Sequence, residues 1–423
     1  MKRFLKTVAS CLFFLSISQA ADHEIRTWTS TVGSTLNARL IHHDSGSVTL
    51  EREDGSVLTV QLDQLSAQDR HYVATLPEER GQTTIAGIDA QPGKISPKNR
   101  CESDSQWSYH LYLPKDFHDA RKWPVLFVMA PGGGSGGGSL KRYIEGAETL
   151  GFILALSVES RNGFANSHEA MKAMVEDVYE RLPVAEELSF SSGFSGGSRM
   201  AYSLAEDNPN IKGVIACGSG SGIYPESGKF RDAKLRRSTY VYSLIGSNCF
   251  NRTGAYNSHE DFPEHFRLRF FPGNHVWASA PLIQEAMARV LGEALKDSRE
   301  PVAKELRDRF AKAAWNMTQS LEKDQPWEAY YWAEFLSDFP ADRDIRNQSV
   351  ALKNRLGRDS RVELAQEAEE AIGELGREFY HDISYQKDQQ DNPDRQQFAD
   401  QLASDFESIP HAELIRKLGA PAR

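Results

Sequence analysis

Residues 188–200 read Leu188-Ser189-Phe190-Ser191-Ser192-Gly193-Phe194-Ser195-Gly196-Gly197-Ser198-Arg199-Met200. The centre of this stretch, Gly193 to Gly197, fits the pattern G-x-S-x-G. Its setting carries more weight than its letters. A strand-like run, 188–192, comes before it, and a helix-like run, 199–206, comes after it. Strand, sharp turn and helix are what a nucleophile elbow requires. Glycines suit such a turn because its backbone crowds neighbouring elements. The elbow lifts the Ser195 hydroxyl clear of the sheet and leaves the Gly196 N–H free to meet an oxyanion. A Gly/Ser-rich loop without chemistry is the plainer alternative.

Outward from the elbow, residues 101–297 alternate strand-like and helix-like segments. Candidate strands are 107–113, 125–129, 152–157, 188–192, 213–217, 240–245 and 267–271. Several are continuous apolar runs, as expected of strands buried on both faces. Amphipathic stretches at 168–182 and 282–295 lie between or after them. This alternation predicts an α/β fold with a doubly wound, mainly parallel sheet.

Two further motifs fall at strand ends. Pro131 is followed by Gly132-Gly133-Gly134-Ser135-Gly136-Gly137-Gly138. This run lacks the Gly-Lys-Ser/Thr ending of a phosphate-binding loop. It can supply the other half of an oxyanion hole through the N–H groups of Gly133 or Gly134, or it can be a flexible linker-like loop. His275 follows the last candidate strand and precedes the last candidate helix of this region. A serine near neutral pH needs an adjacent base, and imidazole is the usual one. His110, His118, His168, His259 and His265 have no comparable strand-end position. Phe194, Trp277, Tyr143 and Phe164 are candidates to line a pocket, although such aromatics are more often core.

The segments PVLFVMAPGGG (124–134), GFILAL (151–156), GFSGGSRM (193–200) and FPGNHVW (271–277) together resemble exported α/β-hydrolase esterases of the feruloyl-esterase and polyhydroxybutyrate-depolymerase kind. The resemblance covers about residues 101–295. It implies an α/β-hydrolase fold and a serine carboxylesterase working through an acyl-enzyme, with Ser195 as nucleophile and His275 as base. It implies no metal or organic cofactor. One departure stands out. Where such relatives have G-x-x-D-x-N, this chain has Gly246-Ser247-Asn248-Cys249-Phe250-Asn251. Cys249 takes the place of the triad aspartate, and a thiol does not orient and stabilise imidazolium as a carboxylate does. Three outcomes stay open. Another carboxylate substitutes, with Asp261, Glu260 and Glu264 nearest in sequence; or the site runs as a Ser–His pair; or the domain binds without turnover. Cys217 and Cys249, both at predicted strand ends, are also candidates for a disulfide.

The N-terminus has the form of an export signal over residues 1–20. A positive start is followed by a short apolar run and by Ser18-Gln19-Ala20 before Ala21. This predicts a secreted or periplasmic protein, with Cys11 removed and Cys101, Cys217 and Cys249 retained. No later segment is long and apolar enough for a transmembrane helix. Residues 21–75 read as a small all-β module with the hairpin signal Asp54-Gly55. RTWTS (26–30) and VTLEREDGSVLTVQLDQLSAQDRHYV (48–73) resemble the SH3-like SLA homology domain, which in eukaryotic relatives binds short peptides. A peptide or glycan ligand is the corresponding expectation, and Trp28 reads as core. Residues 76–100, rich in Pro and Gly, read as a linker. Residues 298–423 read as a helical tail, with one helical hairpin resembling a tetratricopeptide-like unit or a plain appendage, and with an exposed polar stretch at 386–395.

The chain has 423 residues and a formal net charge of −10. At roughly 100–200 residues per domain, two or three domains are expected. The acidic balance argues against a nucleic-acid partner, which needs clustered Lys and Arg. No cysteine pair has metal-site spacing. The reading is therefore a secreted serine esterase acting on a small-molecule or polysaccharide-linked ester. A serine peptidase of the same fold and a non-catalytic binding protein are the alternatives.

Overall fold

The computed structural model of the chain describes residues 25–43, 47–52, 57–76, 84–85, 87–224, 229–261, 265–381, 383 and 385–423. The expected signal segment with Cys11, and the turns at 44–46 and 53–56, lie outside the described residues. The chain divides into two compact units, Met1–Arg80 and Gly81–Arg423.

In the first unit the strands Arg26–Thr29, Thr35–His43, Ser47–Arg52 and Val57–Gln61 form an antiparallel sheet in chain order. A helix, Ala67–Thr75, closes one end, started by the Ser66 side chain accepting from the Asp69 N–H. Trp28 is 1% exposed, and its indole N–H donates to the Ala38 carbonyl at 3.0 Å. Tyr72 packs edge-on against it with centroids 5.9 Å apart. The core role expected of Trp28 follows directly from these contacts.

The second unit is built on an eight-stranded sheet. Its order is Phe266–Phe271, Tyr240–Gly246, Ile211–Cys217, Val184–Phe194, Trp123–Met129, Ile153–Ser157, Ser108–Tyr112 and Asn99–Arg100. The strands from Phe266–Phe271 across to Ile153–Ser157 run parallel, and Ser108–Tyr112 pairs antiparallel with both of its neighbours at the other edge. The strand Trp123–Met129 shows why these runs are apolar throughout. Leu126 and Val128 face one core, while Val125, Phe127 and Met129 face the other. The helices Ser167–Arg181 and Gly196–Asp207 cover the second core, and Ala280–Asp297 covers the first. The expected α/β architecture, a mainly parallel sheet covered on both faces, is the one observed.

Two expectations need correction. The segment 76–100 is not a free linker throughout. Ile88 and Ala90 are buried in the second core, and Asn99–Arg100 pairs with Ser108–Tyr112. Gly87 and Gly93, both with positive φ, turn a described stretch that is nevertheless packed. The tail is also more than one hairpin. It comprises the longer helices Ala303–Leu321, Pro326–Asp338, Arg343–Leu356, Ser360–Phe379, Pro393–Ala403 and His411–Gly419. Phe310, Trp332, Phe335 and Leu336 enter the same core as Leu291 and Leu295. Burying a side chain such as Phe310 or Leu336 contributes roughly 1.5–3 kcal/mol, so the tail is integral to this unit.

The stretch 386–395, read as exposed from its polarity, holds two buried charges. Asp388 is 0% exposed and Arg395 is 1% exposed. They are buried because they pair. Arg252 forks onto Asp388 at 2.7 and 2.8 Å, and Arg395 reaches Asp388 at 2.7 Å. The remaining guanidinium donors meet main-chain carbonyls, including Ser247 at 2.6 Å, Ala420 at 2.6 Å and Gly419 at 2.9 Å. Charge patterning in sequence reports solvated faces, but such a cluster forms only when residues 252 and 388 meet in space.

Candidate active site

The strand Val184–Phe194 ends at Ser195, and the helix Gly196–Asp207 begins directly after it. Ser195 has φ 54° and ψ −118°, and among the described residues it is the non-glycine with positive φ. Such a conformation costs on the order of 1–3 kcal/mol and persists where surrounding packing over-determines it. The packing here is tight. A Cβ at Gly193 would strike the Gly197 backbone, and one at Gly197 would strike the Met129 carbonyl.

The elbow directs the Ser195 hydroxyl to His275, with Oγ 2.9 Å from Nε2. His275 lies after the strand Phe266–Phe271 and packs against two rings. Phe194 is 4.7 Å away by centroid and Phe250 is 4.1 Å away. Trp277 stacks on Phe194 at 5.1 Å. Tyr143 is fully buried against Ser192, and of the four aromatics singled out in sequence only Phe164 is among the residues lining the cavity at Ser195.

Cys249 is the group on the other nitrogen of His275, with Sγ 3.1 Å from Nδ1. Sγ also receives the Asn251 N–H at 3.4 Å, and the Gly218 carbonyl lies 4.0 Å from it. Cys101, Cys217 and Cys249 are all free and buried, so the Cys217–Cys249 disulfide is not made. Sγ of Cys249 is turned to the imidazole instead. Asp261 is the last residue of the helix Arg252–Asp261. At 1.5 Å per residue it stands about 13 Å along the axis from Arg252. Its side chain, like that of Glu260, lies outside the described residues, as does Glu264.

Burial sets the electrostatics. Desolvation pushes the Cys249 thiol up to about 11, so it is neutral at neutral pH. Desolvation, with a smaller contribution from the Arg199 charge, holds His275 below the ordinary imidazole value. For Nε2 to accept the Ser195 proton, the ring proton must sit on Nδ1 and point at sulfur, a weak acceptor. A carboxylate would enforce that tautomer. A thiol both donates and accepts, so it selects the tautomer less strongly, although the Gly218 carbonyl offers the S–H a separate acceptor.

The glycines expected as oxyanion donors differ in where their N–H groups stand. Gly196 is the first residue of its helix, and the first N–H groups of a helix lack intrahelical partners. Gly133 and Gly134 do not fit the expectation. Their N–H groups donate to the carbonyls of Ala130 and Val158, each at 3.0 Å. The glycine run instead folds as a tight loop in which a Cβ at Gly133 would strike Val158 and one at Gly134 would strike Ser157. Asn162 was not singled out in sequence. Its carboxamide packs against Gly196 so closely that any side chain at 196 would collide with it. Asn162, Ser195 and Gly196 all line one cavity of about 800 Å³, together with Phe164, Met200 and Phe250. Asn162 and Phe250 sit beside the motifs at strand ends, and that adjacency was their signal in sequence. Among the described residues no group of His, Cys, Asp and Glu could hold a metal ion.

Comparison with known families and structures places the small N-terminal module. Residues 16–80 match the SLA1 homology domain 1 model. No curated protein matches the chain. Among solved structures it is similar to FphF, a fluorophosphonate-binding serine hydrolase of Staphylococcus aureus in a substrate-bound form, at 12% identity and a TM-score of 0.38, covering 47% of this chain and 99% of that one. A ferulic acid esterase is similar at 15% identity and a TM-score of 0.38, covering 47% and 98%. A mutant feruloyl esterase module from Clostridium thermocellum, complexed with sinapinate, is similar at 14% identity and a TM-score of 0.37, covering 50% and 91%.

Proposed function

We propose that the protein is an exported serine esterase that cleaves a carboxylic ester through an acyl-enzyme. The observation that carries this reading is the continuous contact line from Ser195 Oγ through His275 to Cys249 Sγ, at 2.9 and 3.1 Å, at a strained strand-to-helix turn. Ser195 attacks the ester carbonyl while His275 Nε2 takes its proton. The oxyanion is met by the Gly196 N–H, with the Asn162 carboxamide as candidate second donor. His275 then protonates the leaving alcohol, and a water repeats the sequence to release the acid. Cys249 fills the place of the acid as a neutral hydrogen-bond partner, so imidazolium forms without a counter-charge on that side. Where a triad aspartate is made neutral, rates fall by about 10⁴. The oxyanion donors and substrate positioning still act, which supports slow turnover rather than none.

A fluorophosphonate probe tests this reading. It is expected to label Ser195 in the native protein and to leave the Ser195→Ala protein unlabelled. Equal labelling of both proteins refutes it.

A further inference from the structure

The cavity at Ser195 holds two guanidiniums, Arg161 and Arg199, and one carboxylate, Glu169. Neither guanidinium forms an ion pair among the described residues. Among other partly buried arginines of this acidic chain, Arg231 pairs with Glu206, Arg269 with Glu285 and Arg309 with Asp116, whereas Arg307 donates to main-chain carbonyls. Arg199 instead donates to the Gly222 carbonyl at 2.9 Å and lies over the Phe230 ring at 5.1 Å. The carboxylate of Asp232 acts on it through space and accepts from the Ser221 hydroxyl at 2.8 Å. Burial lowers the pKa of Arg199 below the ordinary guanidinium value.

Position gives this charge a use. Arg199 follows Ser195 by four residues, one helical turn or about 6 Å along the axis, on the same face. Its field reaches His275. Arg161 stands at the exposed rim of the same cavity, over the Phe164 ring at 4.9 Å. Tyr224 and Phe230 are 63% and 54% exposed, with ring centroids 5.0 Å apart beside Arg199, so an apolar platform borders the charge. A concave site with a few convergent polar groups on an apolar lining is built to orient one small ligand.

Resting on the esterase reading, we infer that the substrate is an ester carrying a carboxylate a few bonds from the scissile carbonyl, held by Arg199 with Arg161 at the mouth. A carboxylate on the acyl side, as in a dicarboxylic half-ester, and one on the alcohol side, as in an ester on an acidic aromatic or sugar, present the same chemistry to these groups. A guanidinium receives either through two parallel N–H···O bonds.

Paired substrates test the inference. On the acyl side, kcat/KM for p-nitrophenyl hemiglutarate is compared with that for p-nitrophenyl valerate. On the alcohol side, 4-acetoxybenzoate is compared with its methyl ester. The charged member of at least one pair should be preferred about tenfold or more, and added salt should weaken that preference. Arg199→Gln should lower the charged-to-neutral ratio toward one, and Arg199→Lys should restore part of it. No preference in either pair, or a preference that survives in the Arg161→Gln/Arg199→Gln protein, overturns the inference. Binding to Ser195→Ala separates it from the esterase reading. Calorimetry with monoethyl and diethyl glutarate should show the monoacid bound more tightly, and Arg199→Gln in that background should abolish the difference. If no ester is cleaved, the esterase reading fails and this binding result alone decides the carboxylate site. Equal binding of the monoacid and the diester rejects that site.

Discussion

Cys249 Sγ lies 3.1 Å from Nδ1 of His275, on the side of the ring opposite Ser195. In the proposed mechanism this contact makes the thiol a neutral stand-in for a triad acid. It also fixes what changes when charge is restored at that position.

The first consequence is a pH profile. His275 must be neutral to accept the Ser195 proton, and burial holds its pKa below the ordinary value near 6.5. Activity should therefore be constant above neutral pH and fall only as pH drops through that lowered pKa. A carboxylate at 249 favours imidazolium, so Cys249→Asp should move the acid limb to higher pH. Rate–pH profiles of both proteins check this. A limb that stays in place or moves to lower pH would show that residue 249 does not face the catalytic imidazole.

The loop carrying Cys249 is tied to the tail. Arg252, 0% exposed, forks onto Asp388, and the Arg423 N–H donates to the Asn248 carbonyl at 2.6 Å. Asp388→Asn leaves two buried guanidiniums short of a charge partner. Breaking a buried pair in this way costs about 3–5 kcal/mol. A lower urea midpoint is expected, together with a reduced kcat/KM under conditions where the variant remains folded. Unchanged stability would show that the cluster does not hold the loop.

Asp261 provides a control. It ends the helix Arg252–Asp261, and the group on Nδ1 of His275 is Cys249 Sγ. Asp261→Asn should change kcat/KM less than twofold, as measured on p-nitrophenyl butyrate. A loss of a hundredfold or more would make Asp261 the working acid and Cys249 a bystander.

Gly196 and Asn162 form a steric pair. Gly196→Ala should drive a methyl into the Asn162 carboxamide and lower kcat by roughly 10²-fold if the oxyanion site is displaced. Adding Asn162→Ala should relieve the collision without restoring the full rate. Coupling of the two changes in a double-mutant cycle is the readout. Simple additivity would argue against contact between them.

Much of this site was legible in the sequence because its pieces fall at strand ends. Ser195 sits between a buried strand and a helix start, and His275 follows the next-to-last hydrophobic element of its region. Continuous apolar runs such as Trp123–Met129 marked strands buried on both faces. Hydrogen bonds were not legible in the same way. A glycine run announces a tight loop but does not say where its N–H groups point, and those of Gly133 and Gly134 turn to Ala130 and Val158. The Arg252–Asp388–Arg395 cluster joins residues far apart in the chain, so local polarity at 386–395 suggested the opposite of its burial. Two free cysteines at neighbouring strand ends read equally well as a bridge until Cys249 Sγ is seen against the imidazole.

The most direct test of the account is kcat/KM for p-nitrophenyl butyrate, measured side by side for the native protein, Ser195→Ala and Cys249→Asp, with urea midpoints for each. The account predicts slow but measurable turnover for the native protein and none for Ser195→Ala. It predicts a gain of about tenfold or more for Cys249→Asp at unchanged stability. Hydrolysis that persists in Ser195→Ala, or a stable Cys249→Asp protein with no gain in rate, would contradict it.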